Sequence, residues 1–128
     1  MGIVTLIGRI HFCITILNSA RSHLTKVTML AMYTASKHIP APKLMVVVTG
    51  LMLLVGGLSI LLGVWVKFGA ALVVLFLIPT AFTMHNYWAI ADPMGRANDQ
   101  AHFFKDLSLS GGALMFFVFG TGALSIAL

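Results

Sequence analysis

The sequence predicts an all-α integral membrane protein, a four-helix bundle with a short interfacial segment between its first two helices. Hydrophobic residues make up 59% of the 128 residues and charged residues only 9%, and the mean hydropathy is +1.02. Such a chain has too little polar surface to cover a globule in water. The apolar residues fall into four long runs, and each crossing of a bilayer core needs about 20 helical residues. Four crossings use most of the chain, so we expect residues 1–128 to form a single domain.

The first two predicted helices cover residues 3–20 and 44–63. The first run has no basic residue before its apolar stretch, unlike a secretory signal peptide, so we expect it to be a retained helix. The second run contains no charged residue and is the clearest predicted span. Between them, the stretch from Thr28 to Lys37 forms either a short helix lying in the membrane interface, closed by Pro40 and Pro42, or an ordered loop.

The third and fourth predicted helices cover residues 68–84 and 107–128. A turn of only a few residues, from Gly63 to Lys67, precedes the third helix, so helices two and three should be antiparallel neighbours. Pro79 lies inside the third helix, where it predicts a kink. Trp65 at one end of this helix, and Tyr87 with Trp88 beyond the other, are residues that favour the two membrane interfaces.

The distribution of basic residues predicts the orientation, because lysine and arginine accumulate in short cytoplasmic loops. The loops 21–43 and 85–106 share one side and hold six of the eight basic residues. We expect both loops to face the cytoplasm of a prokaryotic cell, or the matrix if the membrane is the mitochondrial inner membrane, with the termini on the opposite side. The net charge of +5 then follows from this topology and predicts no nucleic-acid partner.

The sequence lacks the residues that several kinds of chemistry require. The chain has one cysteine, Cys13, and so cannot form an internal disulfide or a paired-thiol relay. It has no glutamate, which small four-helix multidrug exporters use inside the membrane to couple protons. It also lacks a glycine-rich phosphate loop, a nucleophile elbow and a paired-cysteine metal site. His11, alone inside a predicted helix, is a weak candidate for a haem ligand. We therefore predict no catalytic residue and no metal site, and the sequence leaves open whether the chain by itself is an enzyme.

Arg9 lies inside the first apolar run, where a guanidinium costs several kcal/mol. Its side chain either snorkels toward the outer headgroups or forms hydrogen bonds inside the bundle or with a partner. The glycines of the later helices predict close helix packing, within the bundle or between subunits. The packing candidates are Gly50, Gly56, Gly57, Gly111 and Gly112.

A second group of candidates lies at the two ends of the loop 85–106. If the fourth helix begins near Ala101, His102, Lys105 and Asp106 share one of its faces. Imidazole, amide and ammonium groups together with aromatic rings suit a quinone or a lipid headgroup, whereas the same residues could simply cap helix ends and anchor the bundle in the interface. The candidate residues are His85, Asn86, Tyr87, Trp88, His102 and Lys105.

The sequence resembles the DoxX family of small four-helix membrane proteins over nearly the whole chain. The resemblance lies in Gly8 and Arg9, in the segment YTASKHIPAP from Tyr33 to Pro42, and in the glycines of the second helix. It continues in His85, Asn86 and Trp88, and in the segment HFFKDLSLSGG, which contains His102 and Lys105. The resemblance implies a four-helix fold and a place in quinol-oxidising or other membrane oxidoreductase assemblies. The chain departs from the family pattern at Leu53, where many relatives have glutamate, and at His23, where many have lysine.

Two hypotheses of function follow. In the first, the chain is a non-catalytic membrane subunit that assembles or stabilises a larger respiratory-type or oxidoreductase complex through its glycine-rich helix faces. In the second, it is a redox-linked subunit that binds quinone near the cytoplasmic interface. The missing carboxylates, cysteines and cofactor motifs favour the first, and quinone is the candidate cofactor of the second. The expected partners are membrane lipids and either other membrane-protein subunits or further copies of the chain.

Overall fold

The computed structural model describes residues 2–122 and contains five α-helices. These are α1 (Gly2–Thr25), α2 (Val27–Ser36), α3 (Pro42–Leu62), α4 (Val66–Met84) and α5 (Pro93–Phe119), with a short 3₁₀ turn at Tyr87–Ala89 before α5. The long helices α1, α3, α4 and α5 form the bundle, and α2 packs against α3. The predicted all-α membrane fold is thus confirmed, and the segment between the first two long helices is a helix.

Three of the described helices are long and apolar enough to cross a membrane, namely Gly2–Thr25, Pro42–Leu62 and the segment Val66–Ala89. Their outward faces consist of large apolar side chains such as Ile3, Leu51 and Leu75, which are 68%, 48% and 62% exposed. In water such a surface would be costly, whereas in lipid it is the expected exterior of a membrane bundle.

The turns follow from local sequence. Gly63 adopts a left-handed conformation with φ of 74° and its N–H donates to Ser59 O, which ends α3. The hydroxyl of Ser59 donates to the carbonyls of Val64 and Trp65 in the turn that follows. This compact turn places α3 and α4 side by side and antiparallel, as the sequence predicted. Pro79 lies inside α4.

The fourth long helix begins much earlier than residue 107. Asp92 is its N-cap, with a carboxylate that accepts a hydrogen bond from Gly95 N at 2.8 Å, and Pro93 occupies the first turn. Both residues are typical helix-start signals. Most of the predicted loop 85–106 is therefore the polar first half of α5. At its other end α5 stops at Phe119, and the predicted residues 123–128 lie outside the described part of the chain.

The core lies along the contacts among α1, α3, α4 and α5. Its members are small or branched apolar side chains, each no more than 3% exposed: Cys13, Ile16, Ala20, Leu53, Ile60, Ala70, Val73, Leu77 and Ala113. The ring of Phe12 on α1 meets that of Phe116 on α5 at 5.1 Å between centroids, which closes the bundle. Cys13 is a packing residue here. His11, by contrast, is exposed on the outer face of α1.

Candidate functional site

Arg9 is buried inside the bundle, with 3% of its surface exposed. Its Nε donates to Leu61 O at 3.1 Å and its Nη1 donates to Thr121 O at 2.8 Å. Leu61 belongs to the last turn of α3, and Thr121 follows the end of α5. The last carbonyls of a helix lack partners within the helix and carry partial negative charge. The cation of Arg9 is therefore stabilised in part by the end of α3, and it also donates to the backbone just beyond α5.

Four of the five candidate glycines are packing positions inside the bundle. A Cβ added at Gly50 would lie 2.7 Å from the Cβ of His23, and one at Gly56 would lie 2.9 Å from Gly69 O. Gly57 packs against Leu17 of α1 in the same way, and Gly112 packs against Phe12. Gly111 differs, because nothing lies within 4 Å of an added Cβ there. It faces outward from α5.

His85 is the centre of a polar cluster at the end of the bundle opposite Arg9, which we call the polar end. Its Nδ1 lies 3.5 Å from Asp99 Oδ1 and its Nε2 lies 3.7 Å from Asp106 Oδ2. The two carboxylates are seven residues apart on the buried face of α5 and are 7% and 4% exposed. One imidazole thus spans two of the three acidic residues of the chain.

The remaining basic groups of the cluster come from α2 and α5. Lys37 Nζ donates to Asn86 Oδ1 at 2.9 Å and lies 3.6 Å from Asp99 Oδ2. Lys105 Nζ lies 3.8 Å from Asp106 Oδ1 and 3.3 Å from His102 Nδ1. His102 also stacks on His85, with ring centroids 5.0 Å apart and planes inclined by 22°.

Two of the predicted candidates lie apart from these polar groups. Tyr87 and Trp88 pack their rings on Phe103, with centroids 5.5 and 5.6 Å away. They belong to an aromatic group that also includes Phe82 and Phe104. This group suits an interfacial anchor. The structure therefore brings His85, Asn86, His102 and Lys105 together and separates them from the aromatic pair.

An inner cavity of about 420 Å³ occupies the half of the bundle next to the polar end. Cavities that hold small molecules are typically about 300–1,000 Å³ and mostly apolar, with a few polar groups. Side chains from all five helices line this one, among them Ser19, His23, Tyr33, Thr49, Leu53, Phe76, Leu77, Thr80, His85, Lys105 and Asp106. Leu53 faces this cavity, two turns of α3 away from the helix end that holds Arg9.

A second polar group of the inner cavity is His23 on α1. Its Nδ1 lies 3.0 Å from Thr49 Oγ1 and 3.2 Å from Val46 O, and its ring packs edge-on against Phe76 at 5.4 Å. Within residues 2–122, its Nε2 has no hydrogen-bond partner. The ring is held in place by α3 and α4, with one nitrogen available to a ligand.

An outer cleft adjoins the inner cavity at the polar end. Its lining includes Tyr33, Lys37, His85, Asn98, Asp99 and His102. Tyr33 and His85 line both spaces, and Tyr33 donates its hydroxyl hydrogen to Met84 O at 3.1 Å. These two side chains form the wall between the cavity and the cleft.

Burial changes the acidity of two groups in this wall region. Burial raises the pKa of Asp106 to about 6, although the nearby charge of Lys105 acts in the opposite direction. Burial, followed by the charge of Asp99, also raises the pKa of the Tyr33 hydroxyl. Asp106 can therefore gain and lose a proton close to neutral pH.

The sequence did not single out Lys37, Asp99 or His23 as site residues. The signal for Asp99 was available, because Asp99, Phe103 and Asp106 recur at helical spacing once Asp92 and Pro93 are taken as a helix start. No such helical spacing marks Lys37 or His23, because their contacts in the site are with residues of other helices. No group of three or more histidine, cysteine or acidic side chains within residues 2–122 could hold a metal ion.

Comparison with known proteins gives a family match and one informative relative. The sequence profile of the DoxX family matches residues 4–86, which cover most of α1 and all of α2, α3 and α4. Inner membrane protein YphA of Escherichia coli (strain K12) is 30% identical over 95 residues, which are 73% of this chain. The aligned part spans 66% of that relative, just under two thirds of its length. No solved structure matches the chain. The α5 half of the polar cluster lies beyond the family match.

Proposed function

Because this chain belongs to the DoxX family of integral membrane proteins, we propose that it is a membrane subunit that binds a quinone-class ring in its inner cavity. The observation that supports this proposal is the cavity itself, about 420 Å³ in volume and lined mostly by apolar side chains, with polar groups from several helices. A ring with two carbonyl oxygens needs an apolar slot with hydrogen-bond donors at each end.

The donors are placed on different helices. His23 on α1 is fixed by Thr49, while His85 and Lys105 come from the polar end. Leu53, Phe76 and Leu77 belong to the apolar lining of the same cavity. A quinone headgroup could therefore accept a hydrogen bond from His23 at one carbonyl and from Lys105 at the other, with its apolar tail directed into the lipid.

A second candidate function is that of an assembly subunit in a larger respiratory-type or oxidoreductase complex. Gly111 favours it, since it lies on the outer face of α5 with open space beside it. Neighbouring side chains Phe104, Leu114 and Met115 are about half exposed. Small residues on such a face allow close approach of another membrane helix. The internal glycines do not support this function, because their faces are already occupied.

We propose an orientation with the polar end in the cytoplasm, or in the matrix of an organelle. Six of the eight basic residues lie in the segments 21–43 and 85–106, and the contacts of Lys37 with Asn86 and Asp99 bring these segments together at one end. The inner cavity would then lie in the cytoplasmic half of the membrane.

One purification tests both functions. The chain is extracted in a mild detergent, its bound lipids and proteins are identified by native mass spectrometry, and its affinity for decylubiquinone is measured by tryptophan fluorescence quenching. We expect bound quinone in the extract and saturable quenching. A chain that neither retains quinone nor binds decylubiquinone contradicts the first function, and co-purification with a stoichiometric protein partner would then favour the second.

Two tryptophan variants on α4 locate the binding site. Thr80 lines the inner cavity, whereas Leu75 on the same helix is 62% exposed to lipid. Thr80→Trp fills part of the cavity, so we expect at least about a tenfold loss of affinity. Leu75→Trp adds the same ring outside and should bind like the parent. Equal binding by the two variants would place the ligand elsewhere.

A further inference from the structure

We propose that Asp99, His85 and Asp106 form a proton relay that connects the outer cleft to the inner cavity. Asp99 lines the cleft, Asp106 lines the cavity, and His85 lines both. The two nitrogens of His85 face the two carboxylates at 3.5 and 3.7 Å. A histidine with a carboxylate at each nitrogen can accept a proton on one side and release one on the other.

The relay deepens the proposed function, because protons must reach a quinone oxygen whenever the ring is reduced. The relay itself needs no ligand. The lining of the cavity is mostly apolar, and the carboxylates on either side of His85 are almost fully buried. His85 therefore offers a side-chain path between the cleft and the cavity.

The step transfers one proton and no electrons. A proton taken from water by Asp99 passes to Nδ1 of His85, so that the O–H bond breaks and an N–H bond forms. The hydrogen on Nε2 passes to Asp106 Oδ2, which becomes a neutral carboxylic acid, and Asp99 returns to its carboxylate. A half-turn of the imidazole about the Cβ–Cγ bond exchanges the positions of Nδ1 and Cδ2, which moves the remaining hydrogen away from Asp99 to the side of the ring nearer Asp106. The contact distances need only the tightening that proton-transfer sites commonly undergo.

Other ionisable groups surround this path. Around His85, α2 contributes Tyr33 and Lys37, and α5 contributes His102 and Lys105 beside the two carboxylates. Lys105 is the competing route, since its Nζ lies 3.8 Å from Asp106 and its side chain is 44% exposed. Burial raises the pKa of Asp106 to about 6, which places its proton exchange in the range where the relay would operate.

Infrared spectroscopy can follow the proton on Asp106. The purified full-length chain in lipid nanodiscs is held about one pH unit below the pKa of Asp106 and transferred from H₂O to D₂O. The protonated carboxyl stretch that is lost in Asp106→Asn identifies the band. We expect this band to shift rapidly in the parent and at least about tenfold more slowly in His85→Gln. In Lys105→Gln, which removes the competing route, exchange should remain faster than in His85→Gln.

Asp99→Asn provides a second variant that leaves His85 in place, and it should also slow the exchange. Thermal unfolding verifies that each variant is folded. The relay would be overturned if His85→Gln and Asp99→Asn are both folded and exchange like the parent. It would also be overturned if only Lys105→Gln exchanges slowly, or if no Asp106 band is found. Decylubiquinone binding is measured separately, so a chain that binds no quinone but shows relay-dependent exchange refutes the proposed function and keeps the relay.

Discussion

At the scale of single residues, the guanidinium of Arg9 lies where two helices end. Within residues 2–122, it donates hydrogen bonds to Leu61 O and Thr121 O. Leu61 belongs to the last turn of α3 and Thr121 follows the end of α5. Arg9 on α1 therefore links three helices at this end of the bundle, and we assign it a structural role.

This role predicts a loss of stability in Arg9→Leu. Removing the donor leaves two acceptors near the helix ends without their partner, which costs about 1–3 kcal/mol of unfolding free energy. Arg9→Lys keeps the charge but not the fork of donors and should lose less. Unfolding in mixed micelles, followed by circular dichroism, measures the difference. Arg21→Leu, on the exposed part of α1, is the control, and equal stability of the two leucine variants would refute the role.

The sequence identified some site residues and missed others for a physical reason. The sequence grouped His85 with His102 and Lys105. His102 and Lys105 share a helical face, and His85 follows an apolar span. Lys37 approaches Asp99 only because α2 folds back against α3. The sequence separation between Lys37 and Asp99 does not indicate that contact. Arg9 was visible as a charge in an apolar run, but its carbonyl partners belong to distant helix ends.

At the scale of elements, the length of the apolar runs predicted the three membrane-spanning helices that contain few polar residues. It fails for α5, because the first half of this helix is polar and has the composition of a loop. The start of α5 is set by capping, with Asp92 accepting from Gly95 N and Pro93 in the first turn. The sequence alone does not decide whether α2 is a helix, because an amphipathic stretch of this length folds only when a neighbour packs on it. In the structure α3 is that neighbour.

The contact of α3 with α4 gives the second prediction. A Cβ at Gly56 would lie 2.9 Å from the backbone oxygen of Gly69, an atom that cannot move without separating the helices. We expect Gly56→Ala to lower the unfolding free energy by about 1–3 kcal/mol. Gly111→Ala is the matched control on an open face and should be neutral or stabilising. Equal unfolding of the two variants would show that α3 and α4 are not in close contact.

At the scale of the whole molecule, charge divides the two ends of the bundle. The polar end holds the three aspartates and most of the lysines and arginines, and Arg9 and Lys67 lie toward the other end. A surplus of basic residues on one side orients a membrane protein because those residues resist translocation. The same end contains the outer cleft and the two carboxylates that flank His85. Orientation therefore decides which compartment supplies the proposed relay with protons.

Cysteine labelling in spheroplasts of a bacterial host tests this orientation. Cys13, the one cysteine of the chain, is 1% exposed, and Cys13→Ala provides a background without thiols. Met94→Cys places a thiol at the polar end and Trp65→Cys places one at the opposite end, at positions that are 82% and 69% exposed. Because the basic segments should remain in the cytoplasm, a membrane-impermeant maleimide should label the Trp65 variant in intact spheroplasts. The Met94 variant should react only after permeabilisation. Labelling of both in detergent verifies that each thiol is reachable, and the reverse pattern in intact spheroplasts would place the cleft, the relay and the inner cavity on the outer side of the membrane.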